Sequence, residues 1–175
     1  MTGSSASGNW AIQVGALLVA TFAICTSELI IAGLLPSLAT DLSVSIPTAG
    51  QLITVYAIGV GVLGPILSLL TARVPRKTVL LGIMAVYVLG NVLCAISTNY
   101  WGLMGARLVL SACHGLHFGV AIVVAIQLAP PGRQASAISM VVAGVSSAII
   151  LGVPIGTALG NADRKSTRLN SSHSS

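Results

Sequence analysis

Acidic side chains are almost missing from this 175-residue chain, which holds three (Glu28, Asp41 and Asp163) against eight lysines and arginines. Charged residues of both signs make up only 6% of it, hydrophobic residues make up 55%, and the mean hydropathy is +0.98. So little surface charge excludes a soluble globular domain and points to an integral membrane protein. Aromatic residues are also scarce, at 4%. The basic residues sit at short breaks between apolar runs and form no patch interleaved with aromatics, so the net charge of +5 does not imply nucleic acid as a partner. Cys25, Cys94 and Cys113 lie in apolar runs without metal-ligand spacing, which reads as small packing residues rather than disulfides or a metal site. No glycine-rich phosphate loop followed by lysine is present. Neither an enzyme nor a bound cofactor is expected.

What the chain does have is apolar length. A bilayer takes about 20 apolar residues as a helix, and five stretches qualify: Trp10 to Ser37, Thr48 to Thr71, Thr78 to Ser97, Trp101 to Ala129 and Ala135 to Gly160. Turn chemistry separates them at "TDLSVSIP" (Thr40 to Pro47), "ARVPRK" (Ala72 to Lys77), "STNYW" (Ser97 to Trp101) and "PPGR" (Pro130 to Arg133). Connections this short make adjacent spans antiparallel neighbours. The expected organisation is a short N-terminus over 1–9, a five-span bundle over 10–162 and a tail over 163–175. The tail, "DRKSTRLNSSHSS", is polar apart from Leu169, and Asp163 to His173 resembles a translated sequencing-library adapter. It is therefore expected to be non-native and is set aside from the fold. The authentic sequence is then expected to stop mid-protein, near Ala162.

Lysine and arginine fix the expected orientation. The second loop carries Arg73, Arg76 and Lys77 and the fourth Arg133, whereas the first and third carry none. By the positive-inside rule the second and fourth loops and the N-terminus are cytoplasmic, with Tyr100 and Trp101 at the outer interface.

Two ionisable residues lie deep inside spans. Counting back from Pro36 at about 1.5 Å per residue puts Glu28 roughly 12 Å below the outer end of the first span, and counting from Tyr100 puts Arg107 at about 10 Å. Each costs at least about 2.5–3.5 kcal/mol at a helix centre unless it faces protein or a water-filled cavity, so both should face the bundle interior. Thr21, Cys25, Ala32 and Leu35 share the Glu28 face; Arg107, Ser111, His114 and Phe118 make a comparable stripe on the fourth span. One reading is a buried Glu28–Arg107 pair that fixes packing. The other is a carboxylate that binds a proton or a cationic group alternately, being wet in one conformation and paired in another. His114 and His117 read as packing or hydrogen-bonding residues or as part of a cavity.

Glycines cluster in "GVGVLGP" (Gly59 to Pro65) and at Gly144, Gly152, Gly156 and Gly160, with Pro154 among them. Small residues let helix backbones approach, and the proline bends or loosens its helix. In their order and spacing, "TSELIIAGLLPSLATDL", "LTARVPRKTVLLG", "ARLVLSACHGLHFGVA" and "GVPIGTALG" resemble the N-terminal half of major facilitator superfamily exporters, closest to twelve-span drug:proton antiporters of the arabinose-efflux-permease-like group. The resemblance implies an all-α integral membrane fold, here five transmembrane helices of an incomplete N-terminal six-helix bundle, with a midplane substrate site between two halves and alternating access. It implies that Arg73, Arg76 and Lys77 match a conformational motif of the cytoplasmic loop, although Ala72 stands where aspartate is usual and Pro75 where glycine is. Arg107 matches a fourth-span arginine associated with proton transfer, although Leu110 and Ser111 replace the glutamine and glycine that usually follow. Gly152, Pro154 and Gly156 match an antiporter-type motif, and Glu28 matches an acidic first-span position.

The sequence is thus expected to be a proton-coupled exporter of drugs, sugars or metabolites in the inner membrane of a prokaryote, truncated and inactive alone. Glu28, Arg107 and His114 are its coupling candidates. Its partners would be the lipid bilayer, protons, a small-molecule substrate and the missing C-terminal half. The alternative is a non-transport membrane subunit, haem-bearing or structural, that uses His114 and His117.

Overall fold

The computed structural model describes residues 9–152 together with Pro154, Ile155 and Ala158. The tail over 163–175 and Gly156 lie outside the described residues. Five helices form, and no strand occurs among the described residues: α1 Trp10–Asp41, α2 Ile46–Leu70, α3 Arg76–Ile96, α4 Tyr100–Leu128 and α5 Gln134–Ser147, the last continued by a π turn over Ala148–Gly152. All five are long and apolar enough to cross a membrane, α5 with its π turn included. Short polar side chains start two of them. Ser45 Oγ accepts from the Thr48 amide at 3.2 Å with Pro47 in the first turn, and Asn99 Oδ1 accepts from the Gly102 amide at 2.8 Å. The α4–α5 turn places Gly132 at φ 81°, a left-handed conformation that glycine adopts without a Cβ penalty.

Helix ends depart from the sequence expectation at several places, three of which bear on the site and its motifs. α1 does not stop near Ser37 but runs through Pro36 to Asp41. Proline removes a donor from the carbonyl four residues back, yet bilayer helices tolerate it because the following turn closes independently. Here Thr40 Oγ1 donates to the Pro36 carbonyl at 3.1 Å and the Leu42 amide bonds Leu38 O at 2.9 Å. α3 begins at Arg76, so Arg76 and Lys77 occupy its first turn rather than the loop. In the fifth span, α-helical bonding gives way at Ala148 to the π turn, just ahead of Pro154, whose ring would press on the carbonyl four residues back, that of Ile150.

α4 is the central helix: its most apolar stretch is 50% buried, against 22–28% for the other four. In lipid the apolar surface itself does not drive helices together, so contact depends on close backbone approach and on hydrogen bonds. Gly64 of α2 and Gly115 of α4 supply one such close approach. A Cβ built on Gly64 would lie 2.8 Å from Gly115 Cα, and one on Gly115 would lie 2.6 Å from the Val60 carbonyl oxygen. α5 meets α1 in the same way, where a Cβ on Gly144 would lie 2.6 Å from Leu18 O. Around these contacts Ile24, Tyr56, Ile83, Tyr87, Leu110 and Leu116 form one buried cluster, and Val14, Leu17, Ala121, Ala125 and Val141 form another. Leu69, Leu81, Leu89, Ile96 and Ile150 point outward and are exposed, as a lipid-facing surface requires.

Candidate functional site

The carboxylate of Glu28 on α1 meets an imidazole on α4. Glu28 Oε2 lies 3.1 Å from His114 Nδ1. Helix length explains why this partner, rather than Arg107, stands opposite. Because α1 extends to Asp41, Glu28 lies thirteen residues, about 20 Å, from its C-terminal end. His114 lies fourteen residues, about 21 Å, from the start of α4 at Tyr100, whereas Arg107 lies only about 10 Å from it. The count from Pro36 matched Glu28 to the wrong turn of α4. Neither Glu28 nor His114 is sealed off, their side chains being 25% and 12% exposed.

A second oxygen reaches the same nitrogen. Tyr56 OH, from α2, lies 3.2 Å from His114 Nδ1, and the two rings are tilted at 57° with centroids 5.9 Å apart. Cys25 Sγ, one turn before Glu28, sits 4.0 Å from the other ring nitrogen, Nε2. Tyr56 also carries Arg107: the guanidinium carbon lies 4.5 Å from the Tyr56 ring centroid, a cation–π contact, and Arg107 Nε donates to Leu52 O at 3.1 Å. Arg107 is 1% exposed, and its Nη2 has no hydrogen-bond partner among the described residues. Glu28, His114, Tyr56 and Arg107 therefore form one chain of contacts through three helices.

Further polar groups tie α1 to α4 and to α3. Thr21 Oγ1 donates to Leu17 O at 2.8 Å and lies 3.1 Å from His117 Nε2, which thus acts as the donor to it. Ser27 Oγ donates to Asn91 Oδ1 at 2.8 Å, Asn91 Nδ2 donates to Tyr87 O at 2.8 Å, and Tyr87 OH donates to Ile24 O at 3.1 Å, which fastens α3 to α1.

Glu28 and His114 open on a cavity of about 430 Å³ between α1, α2, α4 and α5. Leu29, Val60, Phe118, Val145 and Ile149 make its wall apolar, while Gly115 and Gly119 leave room on the α4 side. The arrangement suits an apolar solute with one polar or cationic group: the walls match the body and the carboxylate is the one acidic group on the lining. Gly152 is buried at the end of the π turn and faces Thr26, and Pro154 is exposed. Arg73, Arg76 and Lys77 gather at the far end of α2 and the start of α3, and none has an ion-pair partner among the described residues. Arg76 and Lys77 line a separate crevice with Gln13 and Gln127, remote in sequence from the Glu28 cavity. Sequence reasoning did not select Tyr56. Its signal was one hydroxyl-bearing aromatic in the middle of an otherwise apolar span, where an O–H needs a partner.

Residues 17–163 match the family model of the Major Facilitator Superfamily. The chain is 44% identical over 145 residues to the inner membrane transport protein YdhP of Escherichia coli K12, an alignment that covers 83% of this chain and 37% of that protein. It is 37% identical over 145 residues to the MFS-type transporter YfhI of Bacillus subtilis, covering 83% and 36%, and 34% identical over 144 residues to a chloramphenicol resistance protein of Streptomyces lividans, covering 82% and 37%. The chain spans little more than a third of the length of these relatives.

Proposed function

The chain belongs to the Major Facilitator Superfamily, and from that premise we propose that it is the N-terminal part of a secondary transporter that exports small organic molecules in exchange for protons. The observation that carries the reading is the Glu28–His114 contact of 3.1 Å on the wall of an apolar cavity. A carboxylate that is paired yet a quarter exposed has two alternatives available. It can hold its imidazole, or it can turn to a proton or to a cationic group of a solute in the cavity. Exchange of one for the other, with the cavity open to opposite sides in turn, is what antiport needs. Membership of a transporter superfamily supports this reading over a non-transport use of His114 and His117.

In this reading α1, α2, α4 and α5 form one wall of the transport path, and helices equivalent to the rest of the relatives' length supply the other. The loops that carry Arg73 and Arg133 face the cytoplasm by the positive-inside rule, with the N-terminus on the same side. Arg73, Arg76 and Lys77 act at the cytoplasmic end as a latch for one conformation, and Gly152, Pro154 and Gly156 act as the flexible end of the fifth span. The resistance named for the Streptomyces relative supports an antibiotic-sized organic solute.

The test grafts residues 10–162 in place of the matched third of YdhP and assays everted vesicles with a dye that reports the proton gradient. A panel of small organic solutes that includes chloramphenicol is added. Expected is solute-dependent proton movement that Glu28→Gln abolishes at unchanged membrane abundance. Proton movement that survives Glu28→Gln sinks the proposal.

A further inference from the structure

We propose that Tyr56 is a positioning residue that takes hold of His114 when Glu28 releases it, and so fixes the hydrogen-bonding state of the proton site. The inference rests on the reading of Glu28 and His114 as the coupling pair.

Two oxygens converge on one nitrogen, Glu28 Oε2 at 3.1 Å and Tyr56 OH at 3.2 Å from His114 Nδ1. A neutral imidazole nitrogen carries either a hydrogen or a lone pair. With the hydrogen on Nδ1, the ring donates to the carboxylate, the stronger of the two acceptors. With the hydrogen on Nε2, the lone pair on Nδ1 needs a donor, and an ionised Glu28 has none to give. The Tyr56 hydroxyl does. An ionised Glu28 thus demands one tautomer of the ring, and Tyr56, as a donor, serves the other.

Proton uptake converts one arrangement into the other and balances. The Nδ1 hydrogen passes to the Glu28 carboxylate, which becomes a neutral acid, and the incoming proton adds at Nε2, the nitrogen turned toward Cys25. The net change is one proton gained and no change in charge on the imidazole. While the neutral acid stays in place its own hydroxyl donates back to Nδ1; once it turns into the cavity, the Nδ1 lone pair accepts from Tyr56 instead. Tyr56 is suited to wait in place because its ring cannot follow Glu28. It is 1% exposed and lies against the Arg107 guanidinium, which is itself held by Leu52 O four residues earlier on the same helix. Only the hydroxyl hydrogen has to rotate. The titratable and charged groups around this site are Cys25 and Glu28 from α1, Tyr87 from α3, and Arg107 and His117 from α4; α5 has none.

The test is nitrogen NMR of ¹⁵N-histidine-labelled chain in lipid nanodiscs over a pH series, with His114 assigned through His114→Asn. Expected in the unsubstituted chain is a swap of the protonated nitrogen from Nδ1 to Nε2 as pH falls. Tyr56→Phe keeps the ring over Arg107 and removes the donor. In that variant nothing holds the Nδ1 lone pair once the neutral acid turns away, so the swap should move to lower pH. A swap in Tyr56→Phe at the same pH as in the unsubstituted chain overturns the proposal. If Tyr56→Phe does not fold, 3-fluorotyrosine at position 56 supplies a stronger donor of nearly the same size. It should move the swap to higher pH, and an unmoved midpoint again overturns the proposal. Glu28→Gln separates the two readings. Loss of the swap there, with the swap at an unmoved pH in Tyr56→Phe, discards Tyr56 alone, whereas a swap unaffected by Glu28→Gln discards the coupling pair and Tyr56 with it.

Discussion

Gly64→Ala is the substitution whose cost the structure states most directly. The added Cβ would lie 2.8 Å from Gly115 Cα and 2.9 Å from the Gly115 carbonyl carbon. Both are backbone atoms on α4, so no side chain can swing aside. Carbon atoms rest about 3.5–4.0 Å apart, so α2 and α4 must part by about 0.7 Å or more. Alanine gains up to about 1 kcal/mol over glycine in helix propensity, while overpacking costs about 1–3 kcal/mol, which leaves a net loss on the order of 1 kcal/mol. The parting has a second consequence. Tyr56 lies two turns from Gly64 on α2 and His114 adjoins Gly115 on α4, so their 3.2 Å contact would stretch toward 4 Å, beyond hydrogen-bond range. Gly82→Ala is the control, because a Cβ there meets nothing within 4 Å. Unfolding in lipid–SDS mixed micelles, followed by helical circular dichroism and by the fluorescence of Trp10 and Trp101, should show Gly64→Ala less stable and Gly82→Ala at least as stable as the unsubstituted chain. Equal stability of the two variants would refute the close-approach argument.

Arg107→Lys keeps the charge but loses both the planar stack on Tyr56 and the Nε bond to Leu52 O, and should cost about 1.5–3 kcal/mol in the same unfolding assay. Full stability of the lysine variant would mean that only charge matters at this position. Thr21→Val removes one hydrogen bond between α1 and α4. Such bonds average about 0.6 kcal/mol in a bilayer, so a loss above about 2 kcal/mol would show that His117 has a larger role than tying helices. For the orientation, Thr98→Cys in the third loop should react with a membrane-impermeant thiol reagent in intact cells, and Pro131→Cys in the fourth only after the membrane is opened. The reverse pattern would invert the proposed topology.

The number of helices, their approximate ends and their apolar nature followed from the pattern of the sequence, since about 20 apolar residues between charged or turn-forming breaks can satisfy their backbone in lipid only as a helix. The cost of burying charge likewise marked Glu28 and Arg107 as inward-facing before any coordinates, and Arg107 is indeed buried. The partners of these residues were not legible. A contact across helices depends on the relative height of two spans, and Pro36 concealed five residues of α1, which moved Glu28 from the level of Arg107 to that of His114. Tyr56 escaped notice because its mid-span hydroxyl signals only that a partner is needed, not that the partner is an imidazole on another helix. Sequence spacing showed that glycines were plentiful, but not that Gly64 faces Gly115. Sequence by itself determined which groups had to be hidden, because the bilayer penalises each polar residue singly. Only the tertiary structure decided which groups they were hidden against, because pairing is set by helix length, rotation and the closeness that small residues permit.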